Sequence, residues 1–211
     1  MTLNLEDYLL VMWEFRESFT KVSEVDISKR LKISAPTVTE YISKMEQMGL
    51  VKRASREVTF TTSGVKFTVP IVRAHRIAEV FAQKILEVPW EEAHKAVMDL
   101  EHLFSGSYGD NLFKHLGYPE TCPHGNPTAV TTKDNSTNPM LLDEGTYVFG
   151  KVVFEDYDML RKLSSVSILP GTLVKLTKDP ECRIESQNGE ITLNDRESMM
   201  IRLKKQKVRN K

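Results

Sequence analysis

The sequence has few cysteines, no long apolar run and no excess of charge of either sign. Only Cys122 and Cys182 are cysteines in 211 residues, too few for the disulfide framework of a small secreted domain. No apolar run reaches the roughly 20 residues that a membrane-spanning helix needs, and the N-terminus lacks a signal peptide's basic start and cleavage site. We therefore expect a reduced, cytoplasmic protein that does not contact membranes.

Acidic and basic residues are balanced, at 29 of each, so nucleic-acid binding would require a local basic patch. The hydrophobic content of 40% and charged content of 27% are typical of globular proteins and exclude bulk disorder. A chain of this length forms one large domain or two to three small ones.

Residues 1–64 have the order of elements of a winged helix-turn-helix. Apolar spacing predicts an amphipathic helix over 5–17. Ser23 and Ser34 are predicted N-caps of two further helices, and Gly49 ends the third. Two short β-rich runs with a polar turn follow and predict a hairpin.

A basic patch coincides with this predicted domain. Between Ser28 and Arg56 there are seven basic and two acidic residues, a local net charge of +5. Such a patch attracts DNA phosphates, and the N-terminal part of the third helix would read bases in the major groove. The candidate DNA-binding residues are Lys29, Arg30, Ser34, Pro36, Thr37, Thr39, Glu40, Lys44 and Arg56.

The chain after residue 64 divides into segments that differ in periodicity and composition. Residues 65–127 are predicted to form a helical domain that includes one helix over 90–104 and ends in an irregular segment over 117–127, and residues 128–145 have the composition of a linker. Short strands separated by turns predict a small β-barrel over 146–205 with one helical turn, followed by a basic tail at 206–211. The predicted fold class is mainly α with β.

Six potential metal ligands follow helical spacing. His75 and Glu79 form an i, i+4 pair, and four further residues share one face of the helix predicted over 90–104. These four are His94, Met98, Glu101 and His102. Imidazoles, carboxylates and a thioether suit a divalent ion such as Fe, Mn, Co, Ni or Zn.

Five segments carry a resemblance to a known family: Glu6–Leu9, Ser34–Gly49, Arg73–Glu79, Glu101-His102 and the run PETCPHGNP from Pro119 to Pro127. In this order and spacing they resemble the diphtheria toxin repressor family of iron- and manganese-dependent repressors. The resemblance covers the whole chain, and its final part is similar to the Src-homology-three-like (SH3-like) domain of the longer members.

The resemblance implies two metal sites, a winged helix, a helical dimerisation domain and an SH3-like barrel. The site tied to activation would use Asp7, Met98, Glu101 and His102. The neighbouring site would use His75, Glu79 and His94 with Glu155 or Asp156, joined by Cys122 and His124. A homodimer would bind a palindromic double-stranded operator and control genes of metal uptake and homeostasis.

The resemblance also implies Fe²⁺ or Mn²⁺ as co-repressor, with Co²⁺, Ni²⁺ or Zn²⁺ able to substitute in vitro, and no organic substrate. Iron-type members typically pair a methionine with a cysteine at the positions of Asp7 and Met98, whereas manganese-type members have carboxylates at both. This chain combines a carboxylate with a thioether, which leaves the choice between Fe and Mn open.

Three other functions compete with metal-responsive repression. A metallohydrolase could use His75, Glu79, His94 and His102, because a catalytic zinc site needs three ligands and an open position. That reading leaves the basic winged helix unexplained. A winged-helix regulator of an organic effector is the second, and an architectural DNA protein is the third, which the neutral overall charge disfavours.

Overall fold

A computed structural model describes residues 4–18, 21–98, 100–130 and 135–206, with only the backbone of Glu101. Most of the basic tail that we predicted at 206–211 lies outside these ranges, as do 131–134 of the predicted linker. In the part of the chain that is described, no helix combines the length and apolarity needed to cross a bilayer.

The first part is the winged helix-turn-helix that the sequence predicts. Its elements are α1 (Leu5–Ser18), α2 (Glu24–Leu31), α3 (Ala35–Gln47), β1 (Val51–Ala54) and β2 (Glu57–Phe60). Both predicted serine caps are present: Ser23 closes a capping box with Asp26, and Ser34 accepts from the amide of Thr37. Gly49 follows α3 at a φ of +70°, a left-handed conformation that glycine adopts without steric cost.

The helical part consists of α4 (Thr62–Ile85), α5 (Ala93–Val97) and α6 (Gly106–His115), with 3₁₀-helices at Trp90–Glu92 and Glu101–Phe104. The single helix predicted over 90–104 is therefore wrong. After Val97, the Leu100 amide bonds to the Val97 carbonyl and the Leu103 amide to the Leu100 carbonyl. These i−3 bonds replace 3.6 residues per turn with about three. His94 and His102 consequently do not share a helix face.

The C-terminal part is a five-stranded antiparallel sheet with the strand order β6-β5-β4-β3-β7. The strands are β3 (Gly145–Val152), β4 (Leu173–Thr177), β5 (Cys182–Ser186), β6 (Gly189–Leu193) and β7 (Ile201–Lys205). The predicted helical turn is α7 (Tyr157–Ser165), and α8 (Asp195–Met200) was not predicted. Within the segment predicted as a linker, Thr137 pairs with Leu203 of β7.

Helix α1 joins the three parts through its C-terminal half. Arg76 of α4 donates to Glu17 Oε2 at 2.6 Å, and Arg202 of β7 donates to the Glu17 carbonyl at 2.9 Å. Phe15 packs against Phe154, with ring centroids 4.9 Å apart. These contacts link the C-terminal half of α1 to the middle of α4, to β7 and to the segment that follows β3.

Candidate metal centre and nucleic-acid interface

Helix α4 places His75 and Glu79 on one inward face. The two residues are 5% and 0% exposed, and His75 Nε2 lies 3.1 Å from Glu79 Oε1. A buried carboxylate is stable only when positive charge or hydrogen bonds surround it. Helical spacing therefore aims both groups at a site that other elements must complete.

Helix α5 and the segment after β3 supply the next two groups. His94 Nδ1 lies 3.0 Å from His75 Nε2 and 2.9 Å from Glu155 Oε2. Glu155 is 6% exposed. It brings an acid from the C-terminal part to the histidines of the helical part, so the cluster spans two structural units.

The loop before the sheet supplies Cys122 and His124. His124 Nδ1 lies 3.2 Å from Glu79 Oε1 and 3.1 Å from Glu155 Oε2. Its other ring nitrogen, Nε2, lies 3.0 Å from the carbonyl oxygen of Trp90. A carbonyl only accepts, so Nε2 carries the hydrogen, which in the neutral ring leaves the Nδ1 lone pair facing the acids. A partner that fixes the tautomer in this way is typical of metal-bound histidine.

Close backbone packing fixes the position of this loop. A Cβ on Gly125 would lie 2.3 Å from the carbonyl oxygen of Gly150, so only glycine allows the loop to approach β3. The Val152 amide then bonds to the His124 carbonyl at 2.9 Å. Asn126 Nδ2 donates to Glu155 Oε1 at 2.8 Å and orients that acid. Asn126 lies in the run from Pro119 to Pro127 that carries the resemblance, but the sequence alone assigns it no role.

The donor atoms fit a divalent transition metal. His75, Glu79, His94 and Glu155 form one group within 4.8 Å, and Glu79, Cys122, His124 and Glu155 form a second. Around an ion with bonds of about 2.0–2.2 Å, neighbouring ligand atoms lie about 2.8–3.6 Å apart, the range measured between these imidazoles and carboxylates. The mixture of nitrogen, oxygen and sulfur donors suits a borderline ion.

Buried polar atoms without an aligned hydrogen bond support the same fit. Among the described residues, Glu79 Oε2, Glu155 Oε2 and His124 Nδ1 are buried without an aligned hydrogen bond, although His124 lies at ion-pair distance from both acids. Such groups are costly unless a cation satisfies them. The adjoining cavity of about 30 Å³ is large enough for a single ion or water.

The electrostatics of the cluster require positive charge. Burial alone would raise the pKa of Glu79, but the charges of His124 and His75 hold it well below the usual value. Burial would likewise lower the pKa of His124, yet Glu155 and Glu79 raise it well above the ordinary value of 6.5. The pKa of His94 is raised because its contacts with Glu155 and Glu79 outweigh burial. Two imidazolium ions or one divalent cation supply the same charge.

The pKa of Cys122 shifts in the direction that disfavours the charged form of its side chain. Burial, with the Glu79 charge adding to it, raises the pKa of the thiol to about 12. The thiol therefore stays protonated at neutral pH until a cation displaces its proton.

Asp156, the other acid considered for this site, lies outside the cluster. Its side chain accepts from the amides of Asp158 and Met159 as the N-cap of α7. The structure therefore places Glu155, and not Asp156, in the cluster, a choice that sequence spacing alone leaves open.

The second expected site is described only in part. Asp7 is 2% exposed, and its Oδ2 accepts from the Asn4 amide at 2.6 Å. The Asn4 side chain contacts His102 Nε2 at 2.8 Å, and Glu6 Oε2 lies 2.5 Å from His102 Nδ1. The start of α1 thus meets the 3₁₀-helix that carries His102. Met98 is half-buried, and the Glu101 side chain lies outside the described part.

Asn4 and Glu6 are not among the ligands predicted from the sequence. Glu6 belongs to the first segment that carries the resemblance, but it contacts His102, which lies 96 residues away along the chain. Local spacing contains no signal for such a contact.

Most of the candidate DNA-binding residues are exposed. Those that are exposed are Lys29 on α2, Ser34, Pro36, Thr37, Thr39, Glu40 and Lys44 on or next to α3, and Arg56 at the hairpin turn. Arg53 fixes the hairpin to the helices through ion pairs of 2.7 Å with Glu24 and 2.6 Å with Glu46.

Arg30 does not belong to this exposed set, which corrects its prediction as a DNA-binding residue. Its guanidinium bonds to Glu14 and to the carbonyl of Glu155, each at 3.0 Å. The side chain is only 16% exposed. Counting charge along the sequence cannot detect such a pairing between distant elements.

Two family models match the chain in succession. "Iron dependent repressor, N-terminal DNA binding domain" matches residues 1–57, and "Iron dependent repressor, metal binding and dimerisation domain" matches residues 61–129. The iron-dependent repressor IdeR of Mycobacterium leprae is 29% identical over 193 residues, which cover 83% of this chain and 84% of that protein. Other mycobacterial and corynebacterial relatives align over 58% of this chain and 51–54% of their own length.

Solved structures match over nearly the full chain. The manganese regulator SloR is 26% identical with a TM-score of 0.86, covering 98% of this chain and 100% of that one. IdeR of T. acidophilum has a TM-score of 0.88 at 22% identity with the same coverage, a likeness that concerns the fold.

Proposed function

Because the chain belongs to the family of iron-dependent repressors, whose models match residues 1–57 and 61–129, we propose that it represses genes of metal uptake and homeostasis from a palindromic operator. Membership makes it a metal-dependent, DNA-binding transcriptional regulator of a family that is not enzymatic. Its co-repressor is Fe²⁺ or Mn²⁺, the ions that its iron- and manganese-dependent relatives use. Its DNA target leads us to propose a cytoplasmic location.

One observation carries the proposal: six donor residues from α4, α5, the loop before the sheet and the end of β3 converge on one buried centre. These residues are His75, Glu79, His94, Cys122, His124 and Glu155. A bound divalent ion supplies two positive charges to this cluster. The residues then hold the helical part and the C-terminal part in one arrangement, which selects a DNA-competent population.

A second centre at the start of α1 completes the proposed switch. Asp7, Met98, Glu101 and His102 would form it, and Glu6 would orient His102. The contacts of Asn4 with Asp7 and His102 support this assignment. Asp7 is part of the DNA-binding domain, so closing this site would fix the recognition helix relative to the dimerisation helices.

A homodimer is consistent with the exposed apolar side chains of the helical part. Ile85, Leu103 and Tyr108 are 59%, 65% and 76% exposed, and the family model for this region is a dimerisation domain. A two-fold axis would place two copies of α3 in successive major grooves, roughly 34–36 Å apart. A palindromic operator follows from that symmetry.

The test is DNA binding by metal-stripped protein. Duplexes are selected from a random-sequence pool with protein and Mn²⁺, and the recovered duplex is titrated with EDTA-treated protein plus Mn²⁺, anaerobic Fe²⁺, Co²⁺ or Zn²⁺. We expect Fe²⁺ or Mn²⁺ to tighten binding roughly 5- to 150-fold on a two-fold symmetric sequence. Equal affinity in EDTA would contradict the proposal, and release by an organic effector instead would support the alternative regulator.

A further inference from the structure

Glu155 is held at its backbone by two residues of the DNA-binding domain. Arg30 Nη2 donates to the Glu155 carbonyl at 3.0 Å, and the Glu155 amide donates to Glu14 Oε1 at 3.1 Å. Glu14 and Arg30 also bond to each other twice, at 3.0 Å in each case. Both backbone groups of this one residue are therefore fixed by α1 and α2.

The side chain of the same residue faces the metal centre. Glu155 Oε2 lies 2.9 Å from His94 Nδ1 and 3.1 Å from His124 Nδ1. Among the described residues, Glu155 is the member of the cluster that comes from the C-terminal part. A shift of its backbone relative to α4 and α5 would move a ligand by the same distance.

The pair is also partly buried and held by several contacts. The side chains of Arg30 and Glu14 are 16% and 12% exposed, and the Arg30 guanidinium lies 4.9 Å from the centroid of the Phe154 ring. Guanidinium bound to a carboxylate by two parallel hydrogen bonds has a fixed geometry. A pair of this kind sets an orientation, which a single flexible surface ion pair does not do.

We propose that Arg30 and Glu14 are positioning residues that couple the metal centre to the helix-turn-helix by holding the backbone of Glu155. The inference rests on the proposed function and adds a route from the centre to the recognition helix. Because α2 carries Arg30 and packs directly against α3, the orientation of the DNA-reading helix and the position of Glu155 are linked. Linkage is reciprocal, so loosening the pair weakens cation binding as well as the response to it.

Arg30→Met tests this coupling, because methionine retains part of the aliphatic stem and removes the hydrogen bonds. Co²⁺ binding is measured by absorption titration without DNA, and DNA affinity is measured at several salt concentrations with Mn²⁺ present. We expect the affinity for Co²⁺ to fall roughly 10- to 100-fold, as for other groups that orient ligands. The slope of log K against log salt should not change, since the Arg30 guanidinium is already bonded to Glu14 and to the Glu155 carbonyl.

Lys29→Met is the matched control, because Lys29 is the exposed neighbour on the same helix. It should lower the salt slope by about 1 and leave Co²⁺ affinity unchanged. If Arg30→Met instead lowers the slope and binds Co²⁺ like the wild type, Arg30 is a DNA contact and the inference is overturned.

Glu155→Gln separates positioning from general stability. If Arg30 acts through Glu155, adding Arg30→Met to Glu155→Gln should weaken Co²⁺ binding no further, whereas additive losses would overturn the inference. Glu14→Gln is the second variant should Arg30→Met fail to fold, and it should weaken Co²⁺ binding in the same direction. Wild-type protein that binds Co²⁺ but not DNA would refute the proposed function, whereas unchanged Co²⁺ affinity in the variants refutes only this inference.

Discussion

His124 Nδ1 lies 3.1 Å from Glu155 Oε2, although the two residues belong to different parts of the fold. His124 lies on the loop that follows the dimerisation helices, and Glu155 follows the first strand of the C-terminal sheet. The atoms are close but are not aligned as a hydrogen bond. A shared cation between them would therefore join the C-terminal part to the helical part.

Replacing Glu155 should weaken cation binding between these two parts of the fold. In Glu155→Gln we expect Mn²⁺ affinity to fall at least tenfold, because the loss of a ligand costs as much as or more than the loss of a group that orients one. The stabilisation by Mn²⁺ should shrink accordingly, from about 2.7 kcal/mol at 100 times the wild-type Kd. Thermal unfolding with and without Mn²⁺ measures it.

Asp156→Asn is the control for that experiment, since Asp156 is the neighbouring acid that caps α7. Asparagine caps a helix about as well as aspartate. Its Mn²⁺ response should match the wild type, and a loss equal to that of Glu155→Gln would mean that the wrong acid has been assigned.

The pH dependence of stability should differ between metal-free and metal-loaded protein. In the folded metal-free protein the pKa values of His94 and His124 are raised above 6.5, chiefly by contacts with acids that overcome burial. Their contribution is complete below pH 6.5 and is lost as pH rises through the raised values. Glu79 and Glu155 have pKa values lowered below 4.5 against the opposing effect of burial, so their contribution is present above pH 4.5 and is lost on acidification.

The metal-free protein should therefore have its highest Tm between about pH 4.5 and 6.5. Because protons compete with the ion for His94 and His124, the increase in Tm caused by Mn²⁺ should grow as pH rises above that window. Unfolding scans across pH with and without Mn²⁺ check both statements. His115→Asn, at an exposed site on α6, should leave the profile unchanged.

Local signals in the sequence were sufficient for most of the fold. The caps at Ser23 and Ser34 and the glycine after α3 depend on short-range chemistry, and the structure confirms all three. The prediction of one helix over 90–104 is wrong because the i−3 hydrogen bonds after Val97 end the α-helical periodicity. As a result, His94 contacts Glu155 and His102 contacts Glu6.

Long-range contacts explain the remaining differences in the candidate site. The sequence assigns Arg30 to the basic patch, whereas its guanidinium bonds to Glu14 and to the Glu155 carbonyl. Asn126 had no assigned role because its partner Glu155 is distant along the chain. Neither contact follows from composition or periodicity, whereas the resemblance did identify the buried histidines and acids.

Cys122 should influence which metal binds. Thiolate prefers later, softer ions, so Cys122→Ser should weaken Zn²⁺ binding by more than roughly tenfold and affect Mn²⁺ much less. Calorimetric titrations with each ion measure the difference. Cys182→Ser is the control because Cys182 lies in the core of the sheet, and equal losses for both ions in Cys122→Ser would contradict a ligand role.

The native thiol should also be slow to react. With a pKa of about 12 caused by burial and the charge of Glu79, Cys122 holds little thiolate at pH 8. Iodoacetamide should therefore label the folded metal-free protein much more slowly than the denatured protein, as peptide mass spectrometry can follow. Rapid labelling of Cys122 in the folded state would contradict the buried position.

Asp7→Asn should remove the metal response of DNA binding without unfolding the protein. Asparagine retains an acceptor for the Asn4 amide but lacks the charge that a hard cation requires. We expect Mn²⁺ to lose most of its roughly 5- to 150-fold enhancement, as measured by fluorescence anisotropy on the selected duplex. An intact Mn²⁺ response would remove Asp7 from the proposed activation site.

Arg56 at the exposed hairpin turn should contact DNA phosphate, in contrast to Arg53 on the adjoining strand β1. Arg53 is bound to Glu24 and Glu46 and fixes the hairpin to α2 and α3. Arg56→Ala should lower the slope of log K against log salt by about 1 and weaken all sequences alike. Arg53→Ala should also destabilise the fold, because it leaves two carboxylates without their partner. If Arg56→Ala keeps the full slope, the wing does not reach the phosphates, and α2 and α3 must supply the whole electrostatic contribution to binding.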